Sequence, residues 1–204
     1  VTGVQTCALP ICKYPQREFP YAQLIEENRR RSKHEPEFEL ADTGIFADHR
    51  YFDVAVEYAK KSPNDILIRI AIANRGPDEA ALTLLPTVWF RNTWSWGCTH
   101  EGCTLKPRIA SATPTRLACT HESLGKFFLE YEPLADGRPP RVLFTDNETN
   151  NERLFNAPNV GRFVKDAFHE CIIHGRDDAV NAKGYGTKAA PVYALQIPAG
   201  GEVV

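Results

Sequence analysis

Two stretches in the first half of the chain alternate side chains with a period of two, and this pattern constrains the fold most. Residues 51–58 read YFDVAVEY and residues 66–73 read ILIRIAIA. A period of two is typical of β-strands, because successive side chains point to opposite faces of a sheet. A four-residue turn, SPND at residues 62–65, joins the two stretches. Parallel strands need a crossover of about a dozen residues, so the short connection predicts an antiparallel meander.

Later segments extend the β pattern and add short helices. The turn RGPD at residues 75–78 leads to a third predicted strand at residues 80–90. Further strands are predicted at residues 115–120, 126–131, 141–145 and 193–197, and helices at residues 21–32, 150–155 and 165–173. These elements predict a mainly β fold, a large antiparallel two-sheet β-sandwich of the supersandwich kind with a few short helices. A length of 204 residues is compatible with one such domain.

The opening residues, VTGVQTCALPI at positions 1–11, resemble a sequencing adapter translated in frame. We interpret residues 1–12 as a non-native scar that has to be set aside before the fold is considered. The domain to be explained is then residues 13–204. A short apolar strand or a weak secretory segment is the alternative, although no basic residue precedes the segment and no long apolar run follows it.

The other end of the chain predicts truncation as well. The strand at residues 193–197 is followed by the turn PAGG at residues 198–201, and another strand begins at Glu202. We expect that strand to lie unpaired, and complete domains seldom end in this way. The sandwich is therefore expected to be incomplete at both ends.

Charge and hydropathy argue against several classes of function. The chain carries 24 basic and 26 acidic side chains, so no global field attracts it to nucleic acid or to an anionic membrane. The basic run Arg29, Arg30, Arg31 and Lys33 is interpreted as the solvated end of a helix. No segment has the length of a membrane span. We expect neither a nucleic-acid partner nor a membrane partner.

A loop directly after the third predicted strand carries the candidate ligand-binding residues. Residues 91–97 read RNTWSWG and contain two of the three tryptophans. We predict that Arg91, Asn92, Trp94 and Trp96 contact carbohydrate. Tryptophan faces suit the CH side of a sugar ring, while Arg and Asn bond hydroxyl groups. The alternative is that Trp94 or Trp96 fills one end of the sandwich, and the sequence leaves both possibilities open.

Cysteine and histidine side chains cluster between residues 98 and 121. Cys98, His100, Cys103, Cys119 and His121 would suffice for a tetrahedral zinc site if a hairpin brought them together. The C-x4-C and C-x-H spacings are not those of a zinc knuckle, so we predict no metal and no cofactor. The cysteines impose no disulfide framework, which favours a reducing compartment and predicts a cytoplasmic location.

Two further motifs have simple structural interpretations. Residues 184–188, GYGTK, lack the spacing of a phosphate-binding loop and are interpreted as a glycine-rich turn. The segments DNETN at residues 146–150 and KDAFH at residues 165–169 supply carboxylates, which glycoside hydrolases use as acid and base. We expect these side chains to cap helices and to bond within loops instead, and we predict no catalytic residue.

Many uncommon strings of the chain, taken together, resemble the N-terminal region of large bacterial proteins of glycoside hydrolase family 63. In chain order the strings are KYPQ, EENRRRS, EPEFEL, DTGIF, RYFDV, DILIRI, NRGP, WFRNTWSWG, TDNETN, KDAFH and GTKAA. The similarity extends over residues 13–204, and members of the family are glucosidase-like or mannosyl-oligosaccharide-glucosidase-like. The loop from Cys98 to Cys103 has no counterpart, and we interpret it as a variable surface insertion.

The resemblance implies a β-sandwich followed by an α/α toroid that carries both catalytic carboxylates of an inverting α-glycosidase. The chain would then be a non-catalytic part of the sandwich. Its partners would be the missing catalytic domain and an oligosaccharide or small α-glucoside, with residues 91–97 reaching the rim of the substrate pocket. An independent carbohydrate-binding module is the first alternative. A standalone enzyme, which needs two suitably spaced carboxylates of its own, is the second.

Overall fold

The computed structural model describes residues 5–8, 10–97, 100 and 104–204. Fourteen strands lie in this described part: β1 Gln5–Ala8, β2 Ile11–Pro15, β3 Tyr51–Ser62, β4 Asp65–Asn74, β5 Ala80–Leu84, β6 Val88–Trp89, β7 Arg108–Thr113, β8 Arg116–His121, β9 Gly125–Glu130, β10 Val142–Thr145, β11 Tyr185–Gly186, β12 Lys188–Pro191, β13 Tyr193–Ile197 and β14 Glu202–Val203. The α-helices there are α1 Tyr21–Arg30, α2 Asn151–Phe155 and α3 Ala167–His174. The protein is mainly β, with antiparallel pairing and few short helices, which confirms the predicted fold class.

The chain forms two compact units. Unit 1 comprises Val1–Leu82 and Ala194–Val204, and unit 2 comprises Thr83–Tyr193. The sheet that contains β3 and β4 belongs to unit 1, and the sheets β10-β12-β6 and β11-β7-β8-β9 belong to unit 2. The candidate carbohydrate loop belongs entirely to unit 2.

The predicted meander forms the centre of unit 1. Strands β3 and β4 pair antiparallel from Phe52 opposite Asn74 to Ser62 opposite Asp65, with one irregularity next to the turn. Strands β1 and β2 both pair with β3, and β14 pairs with β4. The hairpin forms as predicted because its turn and both of its alternating strands are adjacent in sequence.

The prediction of an unpaired last strand is wrong. In β14, Glu202 lies opposite Ala73 and Val203 lies opposite Ile72. The turn before it is closed by a bond from Gly201 N to Pro198 O of 2.9 Å. This turn directs the chain back along β4, and β14 pairs with the outward-facing backbone groups of β4.

The opening residues take part in strands β1 and β2. In β2, Ile11 lies opposite Ala55 and Pro15 lies opposite Tyr51. Strand pairing relies on backbone hydrogen bonds, which any apolar extended segment offers to an adjacent strand. The strand pairing therefore does not test the proposed origin of residues 1–12, which stays a prediction.

The fully buried side chain of Asn74 organises one end of unit 1. Its Nδ2 donates to the carbonyl oxygens of Asp78 at 2.9 Å and Ile197 at 2.8 Å. Its Oδ1 accepts from Gln16 Nε2 at 2.6 Å and from Gly76 N at 2.8 Å. Three stretches of the chain, at residue 16, residues 74–78 and residue 197, therefore converge on one amide.

The third predicted strand is interrupted. Residues 80–90 form β5 and β6, separated at residues 85–87. Pro86 lies in this break, and its missing N–H prevents a continuous ladder. Strand β5 pairs with β13, whereas β6 pairs with β12. The predicted boundaries at residues 80 and 90 are close to the observed ones, but the prediction of one continuous strand is wrong.

Two sheets pack face to face in unit 2. One has the order β10-β12-β6 and the other β11-β7-β8-β9. Between them Ile109 and Leu117 of the second sheet contact Phe144 and Ala189 of the first, all buried. Two-sheet packing is thus observed within unit 2, whereas the alternating strands β3 and β4 lie in unit 1.

A second core lies on the other face of the β10-β12-β6 sheet. Leu143 and Ala190 point to this side and pack against Phe168 and Cys171 of α3. Adjacent residues of one strand thus belong to different cores, because side chains alternate across a sheet. The sheet is therefore covered on both faces.

The basic end of α1 differs in detail from its prediction. The helix ends at Arg30, which pairs with Glu27 at 3.4 Å. Arg31 follows the helix, donates to the carbonyl of Pro36 at 2.5 Å and lies 5.1 Å from the centre of the Phe38 ring. The extended backbone at Arg31 turns its side chain away from the helix. None of the helices in the described part of the chain is long and apolar enough to cross a membrane.

Candidate functional site

The sheet topology brings the uncommon motifs of unit 2 together at one end of the strands β10, β12 and β6. Strand β12 runs antiparallel to both β10 and β6, with Lys188 opposite Thr145 and opposite Trp89. Strands β10 and β6 are therefore parallel to each other, and both end where β12 begins. The segments after β6, after β10 and before β12 meet there. They are residues 90–97, 146–150 and 186–187.

Glu148 lies at the centre of this cluster, and its side chain is only 7% exposed. Its Oε2 accepts from Asn92 Nδ2 at 2.8 Å, and its Oε1 accepts from Trp94 Nε1 at 2.5 Å. Lys106 Nζ lies 3.5 Å from the same Oε1. A buried carboxylate is tolerated only when it is paired and hydrogen-bonded, and Glu148 meets both conditions.

Asp146 extends the cluster to the start of β12. Its Oδ2 pairs with Lys106 Nζ at 2.9 Å, and its Oδ1 accepts from Thr187 N at 3.2 Å. The Thr187 hydroxyl accepts from Asn147 N at 2.8 Å, and Asn147 Nδ2 donates to Phe90 O at 2.9 Å. One ammonium group thus serves both Asp146 and Glu148, and all three segments are bonded together.

The predicted capping role is correct for one residue and wrong for another. The Asn150 side chain accepts from Arg153 N at 3.1 Å at the start of α2. Asp166 precedes α3 but makes no capping bond with its side chain. Its carboxylate instead accepts from Asn150 Nδ2 at 3.1 Å and pairs with Arg153 at 3.2 Å. Asp166 therefore joins the two helices rather than capping its own.

The segment at residues 184–188, predicted as a glycine-rich turn, instead contains strand β11 at Tyr185–Gly186 and the first residue of β12 at Lys188. Gly186 lies so close to β10 that a Cβ atom there would be 2.1 Å from Thr145 O. The motif needs glycine because two backbones approach closely, and no phosphate is required to explain it. The sequence missed β12, which follows at once.

Lys188, in the same motif, is directed towards α3. Its Nζ donates to Lys165 O at 2.7 Å and lies 4.8 Å from the centre of the Phe168 ring. Burial lowers the pKa of this ammonium group, although the nearby Asp166 carboxylate opposes the shift. Lys188 thus connects the cluster to the second core.

The four predicted carbohydrate-binding residues divide into two pairs. Asn92 and Trp94 turn inward and donate to Glu148. Arg91 and Trp96 are exposed, with the Arg91 guanidinium 4.9 Å from the centre of the Trp96 ring. Trp96 remains 59% exposed. One tryptophan therefore anchors the loop and the other presents its face to solvent.

Sequence reasoning missed Lys106 and underestimated Glu148. The motif DNETN at residues 146–150 indicates carboxylates, but the sequence predicts that they bond in a cap or a loop. Lys106 gave no signal, because a single lysine 42 residues from its partner has no local pattern.

The carboxylates of the cluster are engaged in ion pairs and hydrogen bonds with other groups of unit 2. An acid and base in glycoside hydrolysis flank the substrate, with space for water in an inverting enzyme. Asp146 and Glu148 instead share the ammonium of Lys106, and Glu148 has almost no solvent contact. The hydrogen bonds from Asn92 and Trp94 to Glu148 hold the loop at residues 91–97 in place.

The predicted cluster of metal-type ligands is only partly described. Cys98 and Cys103 lie outside the described residues. Cys119 faces the core between the two sheets, where burial raises the pKa of its thiol. His121 packs against Phe90 with ring centres 5.2 Å apart. Within the described ranges, no group of three or more His, Cys, Asp or Glu side chains is arranged to hold a metal ion.

Comparison with known proteins gives one informative relative. No protein-family model matches the chain, and no solved structure matches it. The chain is similar to a Saccharomyces cerevisiae protein named Uncharacterized protein YMR196W, with 35% identity over 217 aligned residues. The match covers 92% of this chain and 20% of the yeast protein, so the chain spans about one fifth of its relative's length. The relative's name states no activity.

Proposed function

We propose that the chain is a non-catalytic β-sandwich part of an inverting α-glucosidase-type protein similar to glycoside hydrolase family 63. In this proposal it braces a catalytic toroid in the rest of the parent protein. The 91–97 loop contributes to the rim of a pocket for an oligosaccharide or small α-glucoside. The uncommon strings shared in order with that family support the proposal, as does the mainly β fold.

The observation that carries the carbohydrate part of the proposal is the exposed pair Arg91 and Trp96. One indole face of Trp96 is a flat apolar platform, and the Arg91 guanidinium over the ring offers donors to hydroxyl groups. The loop beneath is fixed by Asn92 and Trp94 on Glu148. A platform held in this way loses little conformational freedom when it binds a sugar.

The acidic side chains of the cluster are already bound to other groups of the protein, which supports a non-catalytic role. Both carboxylate oxygens of Glu148 already accept hydrogen bonds from the protein, and its side chain is only 7% exposed, so it is not placed to reach a leaving group. The bond-breaking carboxylates are therefore assigned to the rest of the parent protein.

The proposal is tested by substitutions in the full-length parent enzyme. Trp96→Ala is expected to raise KM for an α-glucoside while leaving the melting temperature nearly unchanged, since the side chain is exposed. Trp94→Phe is the matched control, because it keeps an aromatic ring but loses the bond to Glu148. It is expected to lower stability more than Trp96→Ala does. An unchanged KM for Trp96→Ala would refute the role of the platform.

The alternative, an independent carbohydrate-binding module, is favoured by the fact that Arg91 and Trp96 are both in unit 2. It predicts that the isolated chain binds a gluco-oligosaccharide in calorimetric titration, and that Trp96→Ala abolishes the binding. No binding by the isolated chain, combined with the KM effect in the parent, selects the bracing role. Turnover of an α-glucoside by the isolated chain would contradict both proposals.

A further inference from the structure

The outer side of β4 is an uncovered sheet edge in unit 1. Strand β3 pairs with β4 along its length, but β14 covers only Ile72 and Ala73 on the other side. No other strand in the described part of the chain pairs with β4. Residues 65–71 therefore form an open edge. Natural proteins usually protect such edges, because unpaired backbone groups recruit further strands.

The hydrogen-bond pattern shows which backbone groups face outward. Arg75 N donates to Tyr51 O on the β3 side, and Asn74 N donates to Gly201 O on the β14 side. In an antiparallel sheet, alternate residues bond to opposite neighbours. Three residues of the same parity as Asn74 thus direct their N–H and C=O groups to the open side: Ile66, Ile68 and Ile70.

The side chains at this edge are apolar and uncovered on both faces of the sheet. Ile66 is 60% exposed and Ile68 is 51% exposed on one face, and Leu67 is 50% exposed on the other. The segment contains no proline, and the irregularity in its pairing with β3 is confined to Lys60–Ser62, opposite Asp65 and Ile66. A flat apolar edge of this kind is a site for strand addition.

We propose that this edge pairs with the same edge of a second copy of the chain, in an antiparallel arrangement centred on Leu67. Asp65 then lies opposite the partner's Arg69, and Ile66 lies opposite the partner's Ile68. Leu67 faces the partner's Leu67. The result is one continuous sheet across a two-fold axis, and each contact occurs twice. The proposal concerns unit 1 and is independent of the proposed function.

Charge complementarity selects this register. A centre at Ile68 would place Arg69 opposite the partner's Leu67, and a centre at Ile66 would place it opposite the partner's Pro63. Of these three registers, only the one centred on Leu67 places opposite charges across from each other, and it does so at both ends of the paired segment. In one copy Asp65 pairs with Lys61 and Arg69 with Glu57, but all four side chains are at least 39% exposed. These surface pairs give way at little cost.

Sedimentation velocity on the complete chain tests the association. The wild type is expected to show a monomer–dimer equilibrium that depends on concentration. Arg69→Asp places like charges opposite each other twice and is expected to weaken the dimer about tenfold or more. The double variant D65R/R69D restores opposite charges and is expected to recover the dimer. Arg138→Asp, which removes another exposed ion pair in unit 2, is the matched control and leaves association unchanged.

Disulfide trapping tests the register without altering charge. Leu67 and the partner's Leu67 form a pair without mutual hydrogen bonds, for which the Cα atoms are about 4.5 Å apart, within reach of a disulfide. Mild oxidation of Leu67→Cys is expected to give a covalent dimer in much higher yield than Ile66→Cys or the wild type. A monomer at all concentrations, a dimer unaffected by Arg69→Asp, or equal yields from both cysteine variants would overturn the proposal.

Discussion

Replacing Glu148 by Gln tests whether the buried carboxylate holds unit 2 together. The carboxylate accepts from Asn92 Nδ2 at 2.8 Å and from Trp94 Nε1 at 2.5 Å. A glutamine keeps one oxygen and turns an NH2 group towards the other donor. One charge-assisted bond is lost, which costs about 1.5–3 kcal/mol, and one buried donor is left unsatisfied at a further cost of about 1–3 kcal/mol. We expect the variant to lose about 3 kcal/mol of unfolding free energy.

Urea unfolding followed by tryptophan fluorescence measures this loss directly. All three tryptophans, Trp89, Trp94 and Trp96, belong to unit 2, so the signal reports that unit. With an m value of about 2 kcal/mol/M, the midpoint falls by roughly 1.5 M. Glu132→Gln, an exposed position in unit 2, is the control and changes stability by less than about 0.5 kcal/mol. A loss below about 1 kcal/mol for the Glu148 variant would refute the reasoning.

Three further predictions follow from individual contacts. Gly186→Ala forces a Cβ into Thr145 O and is expected to destabilise unit 2 by about 3 kcal/mol in the same assay. Gly161→Ala, where the added Cβ meets nothing within 4 Å, is the control. Asn74→Ala leaves several buried backbone groups without partners in unit 1, so circular dichroism is expected to show a loss of about 3 kcal/mol. Burial raises the pKa of Tyr193 to about 12. Its phenol therefore contributes stability that is complete below pH ~10 and is lost as the pH rises through the folded pKa. Absorbance titration of Tyr193→Phe is expected to lack the last phenol ionisation.

The sequence predicted those elements whose signals are local. The β3–β4 hairpin was predicted because its alternation and its turn occur within one short segment. Strands β8 and β9 were predicted to within one residue at each end for the same reason. The period of two is a property of the backbone, so it appears in the sequence wherever one face is buried.

Elements without a local signal were missed. Strand β12 reads KAAP, a short run with little β-propensity, yet it is the central strand of its sheet. Ala189 and Ala190 are fully buried there because both faces of that sheet are covered and the space is small. Small residues in a central strand are selected by neighbours that are distant in sequence, and no local pattern reveals them.

The two loop tryptophans show the limit most clearly. The sequence by itself determined that antiparallel strands flank an unusual loop with polar side chains and two indoles. It did not determine which indole points inward, because Trp94 and Trp96 have the same chemistry and lie two residues apart. The tertiary structure decided this, since the pairing order β10-β12-β6 brings Glu148 within hydrogen-bond distance of Trp94 alone. A buried carboxylate needs its donors, and that requirement leaves Trp96 with its face in solvent.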